Sequence, residues 1–156
     1  MSGAARHRAR AAALQMLYQW EVGRTPVDEV VRTYWAGRDA PPDPDDELSD
    51  AAPEAVLVEE ERSLANALVA GTIERMGEAD ELIGAHARNW RIGRMAVIDR
   101  LVLRLAIFEL LSRPDTPAAV VINEALELAR TFSGEEPVPF INGVLDAVRK
   151  SLGRDG

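Results

Sequence analysis

Arg6, His7, Arg8 and Arg10 crowd the start of the chain, and Tyr18 follows on what the same local sequence makes a helix. At about 100° per helical residue, Tyr18 falls about 20° from His7 and about 80° from Arg10, so one broad stripe would carry cations and an aromatic ring. Guanidinium groups hold phosphates and aromatic faces stack on unpaired bases, which suits such a stripe to single-stranded RNA. A plainer arrangement also fits, a solvated helix end with Tyr18 filling the edge of a core, and spacing leaves the two open. Phe140, behind Pro137 and Pro139 at the start of the final helix, poses the same choice. Its ring either faces outward for stacking or caps the core, and the core is the simpler reading.

Other chemistries lack their parts. His7 and His86 are far apart and neither belongs to a His-Glu-x-x-His run, so no metal site is expected. The glycines form no dinucleotide or Walker-A loop, and no serine sits in a Gly-x-Ser-x-Gly elbow. Glu124 and Glu127, three apart on a helix, fit a solvated face or a tertiary salt bridge better than a catalytic pair. The expectation is a protein that is not an enzyme and uses no cofactor.

The net charge of −8 argues at first against nucleic acid, because phosphate binding is driven by cations that displace counterions. The charge is segregated, however. Residues 39–61 hold ten acids and no base, and the rest of the chain sums to +2, while residues 1–20 hold three arginines and no acid. Seventeen of the 18 basic residues are arginine, with Lys150 the lone lysine, a bias that genomic composition explains as readily as phosphate recognition. The absence of cysteine excludes disulfides. No apolar run is long enough to span a bilayer and no secretory signal opens the chain, so the cytoplasm is the expected compartment.

The elements that must position these residues are all helical. Strong formers from Ala4 to Val22 predict a first helix closed by Gly23, and Val27, Val30, Val31, Tyr34 and Trp35 predict a second over 27–37. The Pro-Asp-rich stretch after it cannot hold regular structure, so an acidic loop insertion is expected at about 38–58. Helices follow at about 59–76 and 78–88. Residues 95–112 are apolar almost all round, the pattern of a central helix that others surround. Pro114 stops it, Thr116 is placed to cap a helix over 117–132 with Pro117 at its first position, and Ser133-Gly134 ends that one. The last helix starts near Pro137 or Pro139. With 47% apolar residues in a 156-residue chain, this is an all-α protein of about seven helices in one compact domain over 1–156.

Three blocks of the C-terminal half are specific. They are Trp90, Arg94, Asp99, Arg104-Leu105-Ala106 and Glu109-Leu110; then Pro117, Ile122-Asn123-Glu124-Ala125, Glu127-Leu128-Ala129 and Phe132; then Phe140-Ile141-Asn142-Gly143-Val144-Leu145-Asp146. With the arginine-rich start and Gln15, Leu17 and Tyr18, their order and spacing resemble the NusB family of transcription antitermination factors. The likeness runs from about Ala4 to Val148, apart from the acidic insertion.

That resemblance implies two packed helical subdomains that bind the boxA element of nascent ribosomal RNA together with NusE, a small-subunit ribosomal protein, in an antitermination complex on RNA polymerase. By matching position it implies an RNA face of Arg6, His7, Arg8, Arg10, Tyr18, Phe140 and Asn142, with Gly143 beside it. It implies a partner face of Tyr18, Asp99 and Leu103, and gives Asn123 and Glu124 buried structural roles. His7 stands where an arginine is common and Pro139 where a lysine can occur, so this RNA face is poorer in cations than in some relatives. Glu135 and Glu136, just before Phe140, would repel phosphate. Three or four arginine–phosphate contacts would give log K a slope on log salt of about −2 to −3. Two other readings stand beside this one. One is a helical protein-interaction module without RNA, and the other a stand-alone relative of the N-terminal domain of RNA cytosine methyltransferases, for which a Gly-rich cofactor domain would have to follow. Monomer and homodimer fit the sequence equally.

Overall fold

The computed structural model describes residues 1–38, 54–87 and 94–154, without the side chains of 54–57. Among the described residues there are seven helices and no strand: α1 (Gly3–Gly23), α2 (Val27–Arg38), α3 (Glu54–Glu74), α4 (Met76–His86), α5 (Val97–Ser112), α6 (Ala118–Phe132) and α7 (Val138–Ser151). The all-helical expectation holds, and each helix appears within a few residues of its expected place. Trp90 and residues 39–53, the greater part of the expected acidic loop, lie outside the described residues. The remainder of that loop is corrected, because residues 54–58 already belong to α3.

The chain divides into two compact units, Met1–Ala67 and Leu68–Gly156. In the first, α1 packs on α2. Ser2 caps α1, its hydroxyl accepting from the Ala5 amide at 3.1 Å, which satisfies one of the orphan donors of the first turn. At the far end Gly23 is the last helical residue and does not close the helix as expected. Arg24 takes the left-handed conformation at φ 52°, a position that glycine fills at lower cost.

The second unit is built round α5, which packs against α4, α6 and α7. Every residue from Leu101 to Ile107 is buried, including Arg104, so the reading of 95–112 as the central helix is correct. Arg104 is admitted because Asp80 of α4 takes it in a two-pronged bond, Nε to Oδ1 at 2.8 Å and Nη2 to Oδ2 at 2.9 Å. Gly71 of α3 lies against the ring of Phe108, and a Cβ there would overlap it, so only glycine lets the two approach. The expected cap on α6 is not made. Pro117 is itself the cap residue, with no side-chain bond to the helix start, and the helix begins at Ala118. Thr116 instead gives its carbonyl to Arg154 Nη2 at 2.5 Å, while Arg154 Nη1 reaches Leu110 O at 2.6 Å. One arginine thus ties the end of α5 to the turn that follows.

Candidate nucleic-acid interface

Exposure along α1 depends on azimuth. Leu14 and Leu17 are fully buried, and Arg10 lies about 40° and about 20° from them round the helix, one and two turns earlier. Arg10 is accordingly only 6% exposed, and the expectation that it faces phosphate is corrected. The same rotation puts Arg8 about 40° from Val22 and about 80° from Tyr18, on the side away from Leu14 and Leu17, and Val22 and Tyr18 are both exposed. Arg6 is also exposed, in the first turn, and His7 is half-buried. Tyr18, at 42% exposure, does not fill the core, so the open choice at that ring falls on the solvent side.

Arg8 has a protein partner, Glu61 of α3, with Nε to Oε1 at 2.7 Å. The Arg8 side chain is 60% exposed and that of Glu61 18%, and a pair screened by water on its arginine side is worth at most about 1 kcal/mol, so a phosphate can take the guanidinium from the carboxylate. Arg6 and Arg8 are the cations that α1 presents to solvent, and Tyr18 is an aromatic face on the same helix.

In the second unit, Phe140 is neither entombed nor fully outward. It is half-buried in the first turn of α7 and lines a groove of about 430 Å³ with Met95, Ala96, Asp99, Ser133, Glu136 and Pro137. The helix start that holds it is set by Pro137 at the cap and Pro139 inside the first turn, where a missing amide costs nothing. Asn142 and Gly143 are exposed beside it, and nothing lies within 4 Å of a Cβ placed on Gly143.

Asp99 occupies the first turn of α5, where its charge favours the helix dipole, and one of its carboxylate oxygens is buried with no hydrogen-bond partner among the described residues. Two residues that the sequence separates into an RNA face and a partner face, Phe140 and Asp99, therefore share one groove with Glu136. Leu103, expected on the partner face, is fully buried and is withdrawn from it. It lies in the middle of α5, which three other helices cover, so its position on a helix with no polar side made it look eligible. Asn123, expected to be buried, is exposed instead and lines a smaller recess with Ala119, Ile122, Asp146 and Arg149. There Arg149 and Lys150 hold the Asp146 carboxyl below its ordinary range. Among the described residues no three His, Asp or Glu side chains cluster as metal ligands would, and no helix is long and apolar enough to cross a membrane.

Comparison with known proteins covers almost the whole chain. The model of the NusB family matches residues 7–150. The transcription antitermination protein NusB of Solibacter usitatus is 44% identical over 151 residues, 96% of this chain and 91% of that protein. That of Myxococcus xanthus is 41% identical over 150 residues, covering 96% and 98%. Among solved structures, T. maritima NusB superposes with a TM-score of 0.73 at 31% identity, covering 93% of this chain and 90% of that one. A structure of the antitermination factors NusB and NusE in complex with dsRNA has a TM-score of 0.76 at 22% identity, covering 96% and 99%, a likeness of fold.

Proposed function

This chain belongs to the NusB family, and from that premise we propose that it is a transcription antitermination factor. It binds the boxA element of nascent RNA as an unpaired strand, together with NusE, and joins the complex on RNA polymerase. It works as an adaptor in the cytoplasm and catalyses nothing. The observation that carries the reading is the family match over residues 7–150, joined to a helix that opens the chain with Arg6 and Arg8 exposed.

Each unit contributes groups suited to RNA. On α1 the guanidiniums of Arg6 and Arg8 hold phosphates, and Tyr18 offers a stacking face. On α7 Phe140 offers a second ring, with Asn142 able to donate to and accept from a base edge. Asp99, whose buried carboxylate oxygen has no partner among the described residues, is suited to a donor from NusE. Glu136 beside Phe140 opposes phosphate and restrains the affinity of the protein for RNA by itself.

The test is a gel-shift titration of boxA-like RNA with this protein, with and without NusE. Retardation that strengthens when NusE is added supports the proposal. Binding to NusE with no retention of RNA in either mixture would leave a protein-interaction module and overturn it.

A further inference from the structure

The first unit carries a second set of cations on rings, away from the residues discussed so far. Trp35 of α2 donates from Nε1 to Asn66 Oδ1 of α3 at 2.7 Å. Arg62 of α3 stacks over its ring at 4.8 Å. Tyr34 meets the same ring edge-on, with centroids 4.9 Å apart and planes at 86°, and Arg38 lies 4.7 Å over the Tyr34 ring. Arg38 covers the ring face and makes no hydrogen bond to the hydroxyl, which is buried without a partner among the described residues. These contacts hold the indole in one orientation and leave it half-buried at the surface.

Arg32 and Arg38 stand three residues on either side of Trp35, about 60° to each side of it round the helix, and both are exposed. From Val30 to Arg38 there is no acid. Glu61, which accepts from Arg8 of α1, is followed directly by Arg62, which stacks on Trp35 of α2, so α3 joins the two cationic sides within this unit.

We propose that Arg32, Trp35 and Arg38 of α2 form a second contact for single-stranded RNA, taking phosphates that lie beyond those held by α1. The inference rests on the RNA reading above and extends it. A guanidinium stacked on a ring keeps its planar fork in place and its N–H edge available, which lowers the ordering cost of gripping a phosphate. Arg38, stacked on Tyr34, is such a fork, and the half-buried indole lies between it and the exposed Arg32, where the ring surface left open beside Arg62 suits a base of no fixed sequence. This chain has reason to use it, since the α1 face offers only Arg6 and Arg8 as exposed cations. Glu59 and Glu60 of α3 and Asp28 and Glu29 of α2 are exposed in the same unit and oppose the attraction, so the contact acts as a supplement to α1.

The test uses the full chain and two fluorescent RNAs, a boxA-length strand and the same strand lengthened by several unpaired nucleotides, titrated over a salt series. Arg32→Gln and Arg38→Gln are made singly and together, with Arg38→Lys as a variant that keeps the charge, and each is checked by thermal melting. On the longer RNA each Gln variant should reduce the salt slope by about 0.7 and weaken binding about fivefold at 0.1 M salt, the counterion-release value of one contact. Arg38→Lys should keep the slope, and the short RNA should respond to none of them. An unchanged slope in the double variant, while Arg6→Gln and Arg8→Gln still reduce theirs, overturns this inference and leaves the RNA reading standing. If neither set moves the slope, the RNA reading falls and takes this one with it. Loss of binding to a protein partner with the slope intact would make the stripe a protein contact and also overturns the proposal.

Discussion

Two arginine–carboxylate pairs, one in each unit, look alike in distance and in the partial burial of the carboxylate and differ in the exposure of the arginine. Arg8 meets Glu61 at 2.7 Å with its side chain 60% exposed, whereas Arg104 meets Asp80 at 2.8 Å with its side chain 8% exposed. In the first pair water screens the attraction on the arginine side, and Arg8 can return to solvent when the pair opens. In the second the charge has no water to return to, and removal of one side strands the other. The arginine proposed to bind RNA is thus the solvated one of the two. A guanidinium that is itself buried builds the fold, and one that is itself solvated can be traded for phosphate.

The sharpest way to break that contrast is at Arg104. Arg104→Ala should cost about 3 kcal/mol in denaturant unfolding, since it leaves Asp80 partly buried and unpaired. A loss below about 1 kcal/mol would make the two pairs equivalent. Arg6→Ala with Arg8→Ala should do the reverse. Stability changes by no more than about 1 kcal/mol, and the slope of log K for boxA-like RNA on log salt shrinks by about 1.4. A double variant that keeps the full slope would put the RNA-binding cations elsewhere.

A smaller effect is expected where a carboxylate opposes RNA. Glu136→Gln should tighten RNA binding about two- to threefold, the scale of one exposed like-charge contact. An affinity unchanged or weaker in the same titration would remove Glu136 from any restraining role. The smallest effect concerns Tyr34, whose hydroxyl burial pushes above its ordinary pKa of 10.0 against the opposing charge of Arg38. The folded chain holds this proton more tightly than the unfolded one, so the contribution to stability is complete below pH 10 and is lost as pH rises through the folded value. Unfolding free energy measured against pH should therefore fall less steeply above pH 10 in Tyr34→Phe. Identical curves for the two proteins would show that the phenol does not govern this limb.

Much of this was legible in the residues. Proline at 114, 137 and 139, glycine at 134 and the 3.6-residue recurrence of apolar side chains mark the helices to within a few residues, because they act through the local backbone. The surround of α5 was readable for a similar reason, since a helix apolar on all sides has to be covered on all sides. The arginine-rich start and the blocks around Asn123 and Phe140 carried the family resemblance as plain strings of letters. Composition and local pattern determined the class of fold.

Tertiary packing decided which members of those strings can be reached. Arg10 and Arg8 are two residues apart in one arginine run, yet Arg10 shares the azimuth of Leu14 and Leu17 and goes inside while Arg8 stays out. Leu103 and Asp99 are one turn apart on α5, and only Asp99 borders the groove. Phe140 and Asp99 belong to separate motifs, 41 residues apart, and line the same groove. Helical propensity is a property of neighbours along the chain, whereas burial depends on which other helix lies across a given face. No local rule reports that, so the fold had to be seen before the site could be trimmed.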